Sequence, residues 1–159
     1  WSDNFYFAWQ QISGDVTVTA RLASITNCQT YTKAGIMIRE SLNSDSKNAF
    51  IGSRGSTECT WQRRTTTQGS TSGTNGGGAA PRWIRLVRSG DNFSAYTSAD
   101  GSSWTQLGST VSITRGAARP LRISKLSPSS ASTARAGSRM RGRGIGVRAS
   151  PWCGEVGAT

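Results

Sequence analysis

One missing residue type decides much of the chemistry: the 159 residues contain no histidine. A Ser-His-Asp or Cys-His arrangement is thereby excluded, because no imidazole is available as general base. Carboxylate pairs remain, and glycoside cleavage needs two of them, about 5 Å apart for retention or roughly 6.5–9.5 Å apart for inversion, one with a raised pKa. Glu40 and Glu58 are the only glutamates before residue 114. The sequence therefore reads as non-catalytic. A glycine run, GTNGGG, is followed by neither Lys-Ser/Thr nor a helix pattern, so it is no phosphate-binding loop. Cys28, Cys59 and Cys153 match no zinc spacing, and no run of alternating Asp or Asn marks a calcium loop. No metal and no cofactor are expected.

Binding chemistry is better represented. Sugar recognition pairs an aromatic ring, stacked on the apolar face of a pyranose, with Arg, Asn, Gln or Asp for the hydroxyls. Trp61 and Arg63 lie on one side of a strand, and Tyr31 adds a second ring. Arg39 and Glu40 end another strand and can hydrogen-bond a ligand. Core or edge packing is the competing role for Tyr31, Trp61 and Arg63, and a surface ion pair is that of Arg39 and Glu40. Trp9, Trp83 and Phe93 are assigned to the core. Asp100, Gly101 and Trp104 form a structural turn: Asp100 accepts backbone N–H groups, Gly101 takes positive φ and Trp104 packs beneath the loop.

The formal charge of +11, from 19 basic and 8 acidic side chains, raises nucleic acid as a partner. The distribution opposes it. Residues 1–113 carry 10 basic and 7 acidic side chains, and residues 114–159 carry 9 and one. Arg82, Arg85 and Arg88 share a strand, but Arg85 faces away from the other two, so they make no basic stripe. No specific nucleic-acid partner is expected.

Short strands and turns must position these groups. Phe5, Phe7 and Trp9 alternate with Tyr6, Ala8 and Gln10, and after Ser13-Gly14-Asp15 Val16, Val18, Ala20 and Leu22 alternate with Thr17, Thr19, Arg21 and Ala23, which predicts a hairpin with one buried face. Further strands are expected at 34–39, 49–52 and 59–65, then in a meander over 83–88, 93–98 and 104–107. Gln68–Ala80 has no apolar side chain larger than Ala and reads as a mobile loop. Cys28 and Cys59 can form a disulfide or remain buried thiols.

After Ile113 the texture becomes Arg, Ser, Ala, Gly and Pro, unable to bury enough apolar area to order itself. Residues 114–159 are expected to be a disordered or non-native tail. Its composition fits a GC-rich gene read out of frame, with a natural basic tail as the alternative. Trp1 follows no leader, so residues 1–113 read as an N-terminally truncated module. No apolar stretch is long enough to cross a bilayer as a helix.

KAGIMIRESL at 33–42, DNFYFAWQQISGDVTVTARLASI at 3–25 and RLVRSGDNFSAYTSADGSSWTQLGS at 85–109 resemble a bacterial family of the concanavalin A-like lectin/glucanase superfamily, largely of unassigned function. The likeness covers about residues 2–113. It implies an all-β, antiparallel jelly-roll β-sandwich, incomplete at its C-terminal end, where ITRGAARPLRISKLSPSS replaces the apolar closing strand. The Glu-x-Asp-x-x-Glu cluster of the related glucanases is missing. The resemblance implies a secreted or cell-surface accessory module without catalysis, associated with a polysaccharide or other glycan and with further domains of a larger protein. A structural spacer or adhesion module, or a fragment of a glycan-cleaving hydrolase, are the alternatives.

Overall fold

The computed structural model describes residues 6–25, 32–114, 121–127 and 145–148. No helix occurs among them, and the strands form two six-stranded sheets. The first runs β1 (Tyr6–Ile12), β11 (Leu121–Ser127), β3 (Lys33–Arg39), β4 (Asn48–Arg54), β5 (Glu58–Arg64), β6 (Ser72–Gly76). The second runs β10 (Val111–Ser112), β8 (Asn92–Ser98), β7 (Arg82–Ser89), β2 (Val16–Ser24), β12 (Ile145–Arg148), with β9 (Thr105–Gln106) beside β8. Pairing is antiparallel throughout the described strands except between β12 and β2, which run parallel. No described helix is long and apolar enough to cross a membrane.

Period-2 apolar alternation makes these strands and aims them. Ala34, Ile36 and Ile38, Ala49 and Ile51, Cys59 and Trp61 come from the first sheet, and Val18, Ala20, Leu22, Ile84, Leu86, Phe93 and Ala95 from the second. They meet in one core. Burying each large member contributes roughly 1.5–3 kcal/mol relative to exposure. Trp61 sits in the middle, fully buried, its indole N–H donating to the Ser109 carbonyl at 3.2 Å.

Four expectations change. The strands on either side of Ser13-Gly14-Asp15 do not pair: β1 joins β11, β2 joins β7, and the turn carries the chain from one sheet to the other. Arg88 holds it, buried and donating to the Gly14 carbonyl, while Asp15 accepts from the Gly90 N–H at 2.7 Å and the Ser89 hydroxyl at 3.3 Å. Trp9 is not core. It is 47% exposed on the edge strand β1, whose Ile12 packs against the core instead.

The segment 68–80 is not all loop either, since Ser72–Gly76 pairs with β5. An edge strand needs only backbone N–H and C=O groups, which small residues supply without filling a core. Finally, β11 and β12 lie beyond Ile113, and β11 is the first sheet's link between β1 and β3, so the sheets do not end at the expected boundary. The short alternation LRISKLS is enough to fill that slot.

Candidate functional site

The residues expected to bind do not form an exposed site. Trp61 is in the core and presents no face to a ligand. Packing won because its strand lies inside the first sheet, between β4 and β6, so the parity that joins Trp61 to Cys59 faces the second sheet. Arg63 does share that side, as expected. Its guanidinium lies 5.6 Å from the Trp61 ring centroid and donates to the Trp61 carbonyl at 3.1 Å and the Thr74 hydroxyl at 2.9 Å.

Arg39 is also buried. It donates to the Ser41 carbonyl at 2.7 Å, to the Asn43 carbonyl, and to Met37 Sδ at 3.8 Å, and so pins the 41–46 loop instead of reaching a ligand. Glu40 is half-buried at the rim of a cavity lined by Ile38, Asn48, Phe93 and Ile113 that has room for about a single water. Tyr31 lies outside the described residues. Cys59 is a buried free thiol, and Cys28 lies outside the described residues. Burial pushes the Cys59 thiol up from its ordinary 9.0 to about 11; the Arg82 charge pulls the other way and Glu58 adds a smaller rise.

A different surface collects aromatic rings. In the second sheet Ala20, Leu22, Ile84, Leu86 and Ala95 face the core, so the opposite parity faces out. That parity brings Thr19 opposite Arg85, Arg21 opposite Trp83, Arg85 opposite Tyr96, and Tyr96 opposite Gln106. Trp83, Arg85, Tyr96 and Trp104 are half-buried, while Arg21 and Gln106 are exposed. The Arg85 guanidinium stacks 3.7 Å from the Trp104 ring centroid, and its Nε donates to the Thr19 hydroxyl at 3.3 Å. Three rings and a planar guanidinium thus share one sheet face, with amide and hydroxyl groups beside them.

The 98–104 turn supports this face. Asp100 Oδ1 accepts the Ser102 and Ser103 N–H groups and the Ser98 hydroxyl, each at 2.8 Å, and the Ser98 Oγ accepts the Gly101 N–H at 2.8 Å. The two backbone bonds, then the serine hydroxyls, hold the Asp100 carboxyl well below the usual carboxylate range. Gly101 has φ +81°, as the sequence requires. The ring packed on the turn differs from expectation: a Cβ at Gly101 would stand 3.0–3.2 Å from Trp83 atoms, whereas Trp104 takes Arg85. Trp83 is therefore a wall of the outer face and not a core residue.

A usable signal was present in RWIRLVRS. Ile84 and Leu86 claim the core parity, which leaves Trp83 with Arg85 outside; Tyr96 follows from Phe93 and Ala95 in the same way. Glu58 pairs with Arg54 at 3.2 Å, and no group of three or more His, Cys, Asp or Glu side chains that could hold a metal occurs among the described residues.

No family model and no curated protein matches the chain. A solved structure does: the crystal structure of a functionally unknown protein from Saccharomyces cerevisiae is similar with a TM-score of 0.51 at 18% identity, over 77% of this chain and 70% of that one. At that identity the likeness carries the fold alone.

Proposed function

We propose that the chain is a non-catalytic carbohydrate-binding module whose ligand lies on the outer face of the second sheet, across Trp83, Tyr96 and Trp104. The observation that carries this reading is the stack of Arg85 on Trp104 beside two further rings on one sheet face. Such a face offers apolar planes to the C–H surface of a sugar, and Gln106, Thr19 and Arg21 offer hydrogen bonds to its hydroxyls. A jelly-roll sandwich of the concanavalin A-like class is the fold we assign on this basis, supported by two six-stranded sheets around a single core. The setting we propose is extracellular, secreted or at a cell surface, beside other domains of a larger protein, as the resemblance implies.

Retention on a panel of soluble and insoluble polysaccharides tests the reading. Binding by the unmodified chain that weakens at least about tenfold in Trp104→Ala, with the far-ultraviolet spectrum unchanged, supports it. Absence of binding across the panel overturns it in favour of a spacer or adhesion module. Release of reducing ends that disappears in Glu40→Gln overturns it in favour of a hydrolase fragment.

A further inference from the structure

The outer face has a charge as well as a shape. Arg21 and Arg85 both stand on it, on adjacent strands and diagonal to one another, since Arg21 pairs with Trp83 and Thr19 with Arg85. No side chain among its outward positions Thr19, Arg21, Trp83, Arg85, Tyr96 and Gln106 is acidic. Asp100, at its end, has its Oδ1 occupied by two backbone N–H groups and a serine hydroxyl. Among the described residues neither Arg21 nor Arg85 is in an ion pair; Arg85 spends its Nε on Thr19, which leaves the terminal nitrogens at the ring surface.

A guanidinium 3.7 Å from an indole centroid, with its Nε committed to a hydroxyl, is restricted in orientation, and its terminal N–H groups are the donors that can meet a carboxylate two bonds at a time. A neutral polysaccharide would use such a group as an ordinary donor. A sugar acid would use it as a counter-charge while its ring stacks on a neighbouring indole. Resting on the carbohydrate reading above, we infer that this face selects uronate-bearing, anionic glycans over neutral ones. Trp104 and Arg85 form the carboxylate-and-ring subsite, and Arg21 sets a second cation one strand away.

Nucleic acid is the rival polyanion, since rings and arginines also serve single strands. The inward turn of the strand's other arginines opposes it. Arg88 is buried on the Gly14 carbonyl and Arg82 Nε is buried near the core, so the strand does not offer the row of cations that tracks a phosphate backbone.

The test compares polygalacturonate, alginate and hyaluronate with their methyl-esterified forms, which keep the backbone and remove the charge. We expect each acidic form that binds to bind about tenfold or more tightly than its ester. That preference should shrink as salt rises from about 0.01 M to 1 M and the screening length falls from about 30 Å to 3 Å. Arg21→Gln, an exposed change that leaves the core intact, and Arg85→Gln should each weaken binding of the acid far more than binding of its ester, and so remove most of the preference. Equal binding of acids and esters overturns the charge selectivity and leaves the glycan platform standing. Binding of neither class overturns both. Tighter retention of oligothymidylate than of any uronate, lost in the same variants, assigns the face to nucleic acid and overturns the inference.

Discussion

The Arg85 guanidinium lies 3.7 Å from the ring centroid of Trp104, across β8, which separates β7, where Arg85 stands, from β9, which Trp104 precedes. A guanidinium stacked on an indole at a half-buried site contributes about 0.5–1 kcal/mol, too little to hold the fold but enough to hold the side chain. Trp104→Ala is therefore expected to lose about 1 kcal/mol from this contact, to leave the chain folded, and to weaken retention on polysaccharide at least about tenfold. Urea midpoints and affinity electrophoresis measure the two effects separately.

Gly101 and Gly14 separate strain from contact. Both have positive φ, +81° and +71°, so an L side chain at either costs about 1–2 kcal/mol in the left-handed region. Nothing stands within 4 Å of a Cβ at Gly14, whereas at Gly101 the Trp83 ring is 3.0–3.2 Å away. Gly101→Ala should cost more stability than Gly14→Ala in the same denaturant titration, and it alone should weaken glycan binding, because it displaces a platform ring.

Trp61→Ala answers the residue that spacing singled out. The side chain is fully buried, and truncating a buried Trp typically costs about 3–5 kcal/mol. This variant is expected to unfold at much lower denaturant or temperature. Whatever fraction stays folded in the cold should bind polysaccharide as the unmodified chain does, which calorimetric unfolding and a cold binding assay can check together.

The strands themselves were legible because apolar alternation is local: Val18-Ala20-Leu22, Ala34-Ile36-Ile38 and Ile84-Leu86 each face the core as their period requires. What each strand pairs with was not local. Ser13-Gly14-Asp15 has turn residues that serve a hairpin and an inter-sheet crossing equally well, and the decision is made by Arg88 and Asp15 bonding across to distant segments. Aromatic residues misled for a related reason. Trp61 and Trp83 are the same type on similar strands, and only strand parity relative to the aliphatic residues, Cys59 with Trp61 but Ile84 against Trp83, tells which ring goes inside. The Asp100 turn is legible in its local part, the bonds of Asp100 to backbone N–H groups two and three positions away, but not in its ring, since Trp83 from another strand and not Trp104 stands against Gly101.

Cys59 sets an expectation for pH. Its folded-state pKa is raised by burial from an ordinary 9.0 to about 11, so the unfolded chain loses the proton first. The stability that Cys59 contributes is fully present below about pH 9 and is lost as pH rises through about 11. Cys59→Ala should flatten the alkaline limb of a stability-against-pH curve. At pH 8, alkylation located by peptide mapping should spare Cys59 in the folded chain and label it once denaturant is added.

The central claim, that the ligand lies on the outer face of the second sheet, is tested most directly by the indole N–H resonances. The chain has six tryptophans, of which Trp61, Trp83 and Trp104 occupy the core, the turn wall and the arginine stack. Titration with an oligosaccharide of a retained polysaccharide should shift the Trp83 and Trp104 signals and leave that of Trp61 in place. Shifts confined to Trp61 or Trp9, with Trp83 and Trp104 unmoved at saturation, would contradict it.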